Sequence, residues 1–334
     1  MNSSNYLEKI LQPYCHVVIL GAGASCATIL HGDKNKKKIP AIGNFIEVAG
    51  LSDCLSNIKL KTTSENFEEI FMELEERSVN EVACLQAKKL LEQKTYDFIK
   101  NFELPDSPTI YDFLLLSLTK KDLIATFNWD PLLVQALQRV SKITKDLPYV
   151  VFLHGNVAVG YCGIDNFFGN VYAKCPKCNG LLAPIKLLYP VKNKDYDTDV
   201  FIRKSWTDLR KALSHAYMLT IFGYSAPKSD VVAISMLKTA LNRNAYRNIA
   251  EIEIVDIKEK EEIEKLWSDF IVGNHYSCHK SFFDTRLACF PRYSCEALFE
   301  ETMKCNFLTH SKGFKENMSF EDINTFLHKI PGFK

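Results

Sequence analysis

The residues best able to do chemistry follow five separate apolar segments of the chain. In an open parallel sheet, ligands bind beyond the carboxyl ends of the strands. One or two polar strand ends are expected by chance, so five of five favour a shared binding site. The five groups, in chain order, are Gly21, Ala22, Gly23, Ala24 and Ser25; Thr126, Asn128 and Asp130; His154, Gly155 and Asn156; Gly223, Tyr224 and Ser225; and Asp256.

The first group is a glycine turn directly after the apolar run HVVIL. Gly21 and Gly23 would let the backbone approach a pyrophosphate, and a following helix would offer unpaired N–H groups. A hydride-transfer fingerprint also needs a third glycine, where this chain has Cys26, and an acidic residue about 20 residues further on. The chain instead enters the basic loop KNKKK at 34–38. A dinucleotide site and a plain strand-to-helix turn both remain open, while hydride transfer is disfavoured.

Three other residues are candidates for catalysis. In TFNWDP, Asn128 and Asp130 point to one side of an extended chain and Trp129 to the other. Asp130 also precedes an expected helix start at Pro131, so a helix cap explains it equally simply. His154 follows a strand, where a lone histidine more often has a structural role. The ordinary pKa of histidine nevertheless suits a general base near neutral pH.

One cysteine pair has the spacing of a metal site. The segment CPKCNG, with Cys175 and Cys178, is half of a zinc ribbon. Structural zinc needs four ligands; Cys162 is the candidate third, and no fourth is obvious from the sequence. Zinc and a metal-free knuckle therefore both remain open. The His and Cys residues between 275 and 295 match no metal motif, and buried thiols are the simpler interpretation.

Composition limits the classes of partner. The chain has 334 residues, 41 basic and 40 acidic side chains, and 47% hydrophobic residues. This balance argues against nucleic acid or an anionic membrane as a default partner. No segment approaches the roughly 18 consecutive apolar residues of a membrane helix. The N-terminus does not resemble a signal peptide, and 11 cysteines suit a reducing compartment, so we expect a cytoplasmic protein.

The apolar pattern predicts an α/β fold: a Rossmann-like, mostly parallel sheet with helices on both faces, plus a helical insertion and a small Cys-containing module. We expect a dinucleotide-binding type of domain over 1–272, with the insertion at about 60–120 and the module at about 160–190. A small C-terminal region would occupy 273–334. The predicted strands are 16–20, 122–128, 149–155, 216–225 and 251–257, and the predicted helices include 4–11, 131–140 and 229–242.

In this order, the motifs resemble those of the sirtuin family, over roughly residues 15–260. The shared features are GAGAS, the pair IP at 39–40, Asn128 and Asp130, the pair HG at 154–155, CPKCNGLLAPIKLLYP and FGYSAPKSD. The family binds NAD and breaks the bond between nicotinamide and ribose. The resemblance implies that residues 21–25 hold the pyrophosphate of NAD and that His154 is the general base.

The resemblance also implies roles for the remaining strand ends. Asn128 and Asp130 would lie near nicotinamide and its ribose, and Phe45 would shield the reacting face. The other positions expected to border NAD are Thr126, Gly155, Gly223, Ser225 and Asp256.

Departures from the family pattern indicate the subclass. Protein deacylases of the family carry two Cys-x-x-Cys pairs and a strand that binds the acyl-lysine peptide. Here one pair is missing, and the charged stretch YPVKNKDYDTD replaces that strand. The forms TFNWDPLL and GYSAPKSD instead resemble sirtuin-like proteins of bacterial anti-phage defence, which hydrolyse NAD to ADP-ribose and nicotinamide once infection is sensed.

The leading hypothesis is therefore an NAD glycohydrolase that consumes NAD as a substrate and acts in abortive infection. Two alternatives remain: an NAD-dependent protein deacylase or ADP-ribosyltransferase, and a catalytically silent sensor of NAD or ADP-ribose. By family analogy alone, such an effector implies a homo-oligomer or a regulatory partner, such as a helicase-like ATPase or a phage-derived trigger.

Overall fold

The computed structural model describes residues 14–191, 196–225, 230–241, 249–271, 275–307 and 313–333, and the predicted helix at 4–11 lies outside them. The strands are β1 (Cys15–Leu20), β2 (Leu123–Thr126), β3 (Tyr149–Phe152), β4 (Val159–Cys162), β5 (Phe167–Asn170), β6 (Ala183–Pro184), β7 (Ala216–Phe222), β8 (Glu251–Val255) and β9 (Tyr276–His279).

Six of these strands form one parallel sheet, in the order β3-β2-β1-β7-β8-β9. The order runs outward in one direction from β1 to β3 and in the other from β7 to β9. The boundary between β1 and β7 is therefore a topological switch point, and open α/β sheets bind ligands outside the carboxyl ends of the strands at such a point. The predicted parallel sheet is confirmed.

Helices cover both faces of the sheet, as the sequence pattern predicts. They are α1 (Ala22–Thr28), α2 (Phe45–Val48), α3 (Phe67–Arg77), α4 (Val82–Ile99), α5 (Ile110–Ser117), α6 (Leu132–Val140), α7 (Val200–Leu213), α8 (Val231–Leu241), α9 (Lys260–Ile271), α10 (Arg286–Cys289), α11 (Ser294–Lys304) and α12 (Phe320–Leu327). The local chemistry explains where some of them begin. Asn66 accepts N–H bonds at the start of α3, and Thr109 forms a capping box at the start of α5.

The alternation of β1 divides the apolar core into two layers. Val17 and Ile19 pack in the layer that contains Trp206 of α7, while Val18 and Leu20 pack in the layer that contains Leu116 of α5. A strand buried on both faces is mostly apolar, which is why VVIL shows no alternation, and the buried His16 is its one polar side chain. Every residue of β1 is buried.

Two features extend the predicted arrangement. The small antiparallel sheet β5-β4-β6 follows β3 in the chain and occupies the stretch where the Cys-containing module is expected. The strand β9 is not predicted by the sequence, because its four half-buried residues YSCH contain no apolar run and are too few for the alternation of Tyr276 and Cys278, which pack against the core, to stand out. β9 lies within the region 273–334 and pairs with β8, which precedes that region. The division of the chain near residue 272 stays a prediction. In the ranges given above, no helix combines the length and the apolar character needed to cross a membrane.

A buried polar chain crosses the middle of the sheet. Thr220 donates from Oγ1 to Glu253 (3.0 Å), so it accepts from Nε2 of His16 (2.8 Å), and Ser294 supplies the hydrogen to Nδ1 (2.8 Å). Burial lowers the pKa of His16 to about 3, which keeps this ring neutral. Burial also raises the pKa of the Glu253 carboxyl to about 7.

We predict that Glu253 makes stability fall as the pH rises. Its pKa is about 7 in the folded chain against 4.5 ordinarily, so between these values the folded chain holds a proton that the unfolded chain releases. This group alone should lower the free energy of unfolding by up to about 1.4 kcal/mol per pH unit in that window. Urea unfolding of wild type and Glu253→Gln at pH 5, 6 and 7 measures the difference in slope. The exposed-site control Glu259→Gln should keep the wild-type slope, and an unchanged slope in Glu253→Gln would contradict the prediction.

Candidate functional site

The site begins where the turn after β1 meets the turn after β7. Gly21 donates its N–H to the Phe222 carbonyl (3.0 Å), and Gly23 donates to the Gly223 carbonyl (2.9 Å). A Cβ on Gly21 would lie 2.5 Å from Gly223 O, and one on Gly223, where φ is +62°, would lie 2.3 Å from Ala24 N. The two turns can approach only because they are built of glycine.

The GAGAS turn presents two different surfaces. Ala22 and Gly23 are exposed, whereas Ala24 and Ser25 are buried. The N–H groups of Gly21 and Gly23 bond within the protein, so the contact between the two turns by itself explains why these positions are glycine. A ligand could approach the exposed backbone at Ala22 and Gly23, while Ser25 points into the protein.

Ser25 lies at the centre of a buried hydrogen-bond network. Its Oγ donates to Oδ2 of Asp130 (2.7 Å), so it accepts from the Tyr111 hydroxyl (2.7 Å) and from Nδ2 of Asn128 (2.9 Å). The same Nδ2 also faces the Gly21 carbonyl (2.8 Å) and the Tyr111 hydroxyl (3.1 Å). The network therefore holds together the GAGAS turn after β1, the helix α5 and the turn after β2.

Asp130 serves the network and the start of α6 at once. Its Oδ1 accepts from the Leu132 N–H (3.1 Å), which agrees with a capping role, and its Oδ2 accepts from Ser25. Burial raises the pKa of Asp130, and the bonds from Ser25 and Leu132 oppose that rise. The two interpretations of Asp130 from the sequence are thus compatible.

Asn156 ties the turn after β3 to the turn after β2. Its Nδ2 donates to the carbonyls of Asp130 (2.6 Å) and Asn128 (3.3 Å), and it is 1% exposed. The preceding Gly155 has φ +82°, and a Cβ there would lie 2.2 Å from Lys186 O. The turn after β3 consequently needs glycine at position 155. The turn holds Asn156 where its amide can bond to the backbone carbonyls of Asn128 and Asp130.

His154 lies among aromatic and acidic side chains. Its Nε2 is 3.2 Å from the Tyr196 hydroxyl and 3.9 Å from Oδ1 of Asp230, and Tyr224 donates to Oδ2 of that carboxylate (2.9 Å). The Phe127 ring meets the imidazole edge to face at 4.7 Å. These contacts place a titratable ring at the carboxyl end of β3, buried but next to the Asn128 turn.

Other predicted positions lie around this centre rather than in it. Thr126 is buried and accepts the Asn128 N–H (3.0 Å), so it shapes the turn. Phe45 packs between Phe67 and Phe98 in the helical layer, at centroid distances of 4.9 and 5.9 Å. Asp256 is half-buried after β8, and its Oδ1 accepts the Lys258 N–H (3.0 Å). Ser225 is exposed after β7, and whether it, Phe45 and Asp256 border NAD remains a prediction.

Three residues of the site are not predicted by the sequence. Tyr111 lies inside a helix, Tyr196 lies in a charged stretch, and Asp230 ends the motif GYSAPKSD, in which the sequence pattern indicates Tyr224 but not Asp230. Only this motif carries a signal that could have led to Asp230. The partners of Tyr111 and Tyr196 are distant in the sequence, so their roles emerge only from the fold.

The cysteine module brings four metal-ligand side chains together. Cys162, Asp165, Cys175 and Cys178 offer ligand atoms that all lie within 4.8 Å of one another. The Sγ atoms of Cys162 and Cys178 are 3.5 Å apart, and Cys175 Sγ is 3.2 Å from Oδ2 of Asp165. Three thiols and a carboxylate suit tetrahedral zinc. Asp165 supplies the fourth position that a search for cysteine and histidine spacings does not find, so the incomplete ligand set expected from the sequence is corrected.

Solved structures of Sir2 proteins are similar to this chain. No family model and no curated protein matches the chain. A solved Sir2 homolog–NAD complex is 16% identical, covering 92% of this chain and 96% of that chain, with a TM-score of 0.42. A structure described as a basis for the mechanism and regulation of Sir2 enzymes is 13% identical, covering 90% and 97%, with a TM-score of 0.38. Sir2 bound to an inhibitor, 2′-O-acetyl-ADP-ribose and deacetylated p53 peptide is 15% identical, covering 91% and 100%, with a TM-score of 0.39.

We predict that Gly223→Ala destabilises the chain by about 3 kcal/mol or more, because a left-handed backbone and a clash with Ala24 add together. Gly50 is a matched control, since it has φ +65° but no atom within 4 Å of the added Cβ. Gly50→Ala should cost about 1–2 kcal/mol. Chemical unfolding of both variants measures this difference, and equal losses would show that the contact between the two turns is not close.

We predict that the chain binds about one zinc ion at the cysteine module. Cys178→Ala and Asp165→Ala should each lower the zinc content and the midpoint of thermal unfolding, measured by elemental analysis and calorimetry. Cys305→Ala removes another exposed thiol, outside the cluster, and should leave both unchanged. Zinc-free wild-type protein after purification with zinc would contradict a metal role for these residues.

Proposed function

We propose that this chain is an NAD glycohydrolase, which cleaves NAD to nicotinamide and ADP-ribose, and that it depletes NAD in anti-phage defence. The observation that carries the proposal is the contact between the ring of Phe127, which precedes Asn128, and the His154 imidazole (4.7 Å), at the carboxyl ends of β2 and β3. Open α/β sheets bind nucleotides outside these strand ends. The order of motifs that resembles NAD-cleaving sirtuin-like effectors supports the same substrate.

The expected reaction breaks the bond between the anomeric carbon and nicotinamide. The electron pair leaves with the ring nitrogen, so nicotinamide departs neutral and the ribose gains oxocarbenium character. Water then adds to the anomeric carbon, and its proton passes to His154 and on to solvent. A histidine is suited to this transfer because its ordinary pKa lies near the working pH.

The hydrogen bonds of Asn128 indicate which of its atoms would serve the ligand. Gly21 O can only accept, so the atom that faces it is Nδ2, and Ser25 and Tyr111 engage the same nitrogen. The amide oxygen is left to accept a hydrogen bond from the carboxamide of nicotinamide or from the attacking water. A side chain held by three contacts is pre-organised for that task.

A specific observation supports the alternative of an acyl or protein acceptor. An open cleft of about 600 Å³ lies between α4 and the segment 184–191. Leu188 in its wall donates its N–H to the His154 carbonyl (2.9 Å), so the wall of the cleft is joined through the backbone to the turn that carries the proposed base. A deacylase or an ADP-ribosyltransferase would release nicotinamide only when an acylated peptide or target protein is present.

Control of an NAD-depleting effector is part of the proposal. Continuous cleavage would be toxic, so we expect a homo-oligomer or a regulatory partner, such as a helicase-like ATPase or a phage-derived trigger, in the cytoplasm. This expectation rests on family analogy.

We predict that His154→Ala and Asn128→Ala lower the rate of nicotinamide release by about two to four orders of magnitude. Release is measured with the purified chain and with lysate of phage-infected bacteria, each with and without an acylated peptide. His215→Ala and Asn101→Ala change the same residue types at exposed positions and should match wild type. Undiminished release by both site variants would rule out the mechanism, and release that requires the peptide would favour a transferase.

A further inference from the structure

The imidazole of His154 faces a buried carboxylate. Its Nε2 lies 3.9 Å from Oδ1 of Asp230, and the two residues are 6% and 3% exposed. This separation is too long for a direct hydrogen bond, but it is short enough for a strong charge interaction in a site without bulk water. An opposite charge within about 4–6 Å favours the protonated form of an imidazole.

Two tyrosine hydroxyls contact the pair formed by His154 and Asp230. The Tyr196 hydroxyl is 3.2 Å from the same Nε2, and the Tyr224 hydroxyl donates to Oδ2 of Asp230 (2.9 Å). Burial, followed by the charge of Asp230, raises the pKa of both tyrosines, so each hydroxyl keeps its proton. Tyr224 thereby fixes one carboxylate oxygen and leaves the other toward the histidine.

Aromatic packing holds the imidazole in this orientation. The Phe127 ring stacks on Tyr224 at 4.2 Å and meets His154 edge to face at 4.7 Å. Tyr196 lies on another side of the imidazole, with its centroid at 5.9 Å. Since Phe127 directly precedes Asn128, the packing also couples the histidine to the turn after β2.

We propose that Asp230 and Tyr196 are positioning residues for His154. Asp230 stabilises the imidazolium that forms when His154 takes a proton, and Tyr196 orients the ring through Nε2. The inference deepens the proposed function and rests on it for the identity of the proton donor, which is the attacking water. In that step the water O–H bond breaks, the proton joins the imidazole, and the water oxygen forms its bond to the anomeric carbon.

The structure provides a matched control pair at the other end of the sheet. Tyr149, which begins β3, donates to Oδ2 of Asp208 (3.2 Å) on α7, and Asp208 is buried. Lys204 also contacts both side chains. Asp208→Asn and Tyr149→Phe therefore repeat the same chemical changes away from His154, in a half-buried tyrosine and a buried aspartate, and Asp208→Asn removes a lysine ion pair in addition. Any effect that is due only to a lost buried hydrogen bond should appear in them as well.

The experiment measures the protonation of His154 in two independent ways. The first is its pKa by NMR of labelled histidine, assigned among the 8 histidines by the signal missing in His154→Gln. The second is the acid limb of the pH–rate profile for nicotinamide release. Asp230→Asn should lower the pKa and shift the limb by about one unit toward acid, because the imidazolium loses its counter-charge.

The turnover rate separates positioning from binding. Asp230→Asn should lower kcat about tenfold or more with little change in KM, and Tyr196→Phe should lower kcat less. Asp230→Glu retains the charge and should keep the limb near its wild-type position, which serves as the test if the amide variant folds poorly. The control pair should leave the limb and the His154 pKa unchanged.

The outcomes distinguish the inference from the proposed function. If wild type releases no nicotinamide but Asp230→Asn still lowers the His154 pKa, the glycohydrolase proposal fails and the coupling of the two side chains stands. A reduced rate with the limb and the NMR pKa both unmoved would overturn the inference, since it would show a structural role alone.

Discussion

The site depends on the contact between two glycine turns. Gly23 and Gly223 approach so closely that any side chain on either would overlap the opposing backbone. Through this contact the ends of β1 and β7 lie side by side at the switch point, although nearly 200 residues separate them in the sequence. A wider spacing between the two turns would displace Ser25 on one side and Tyr224 on the other. It would therefore disturb both the network around Ser25 and the contacts among Tyr224, Asp230 and His154.

The cost of burying polar side chains explains why these groups form complete networks. A buried hydroxyl or amide without a partner costs about 1–3 kcal/mol, so each one must find bonds within the protein. Ser25 meets this requirement by donating to Asp130 and accepting from Tyr111 and Asn128. Such networks are rigid, and rigidity is what a site needs when it must hold a leaving group and a nucleophile in register.

The sequence allowed prediction of the parallel sheet and of the strand ends that carry polar residues, because apolar runs and glycine turns are local signals. It did not allow prediction of β9, whose edge position leaves no apolar run, nor of Asp165, whose role depends on a loop folding back onto a cysteine knuckle. Tyr111 and Tyr196 were missed for a related reason. Each looks like a core or surface tyrosine until the fold brings it to Asn128 or His154.

Tyr111 shows how the helical layer and the sheet act on the same atoms. It belongs to α5, which begins at the Thr109 capping box, and its hydroxyl contacts Ser25 and Asn128. The side chain is fully buried, so its hydroxyl cannot exchange these partners for solvent. A movement of α5 relative to the GAGAS turn would therefore break both contacts at once and leave the amide of Asn128 held only by Gly21 and Ser25. The helices between β1 and β2 are for this reason part of the support of the site, and not merely a covering of the sheet.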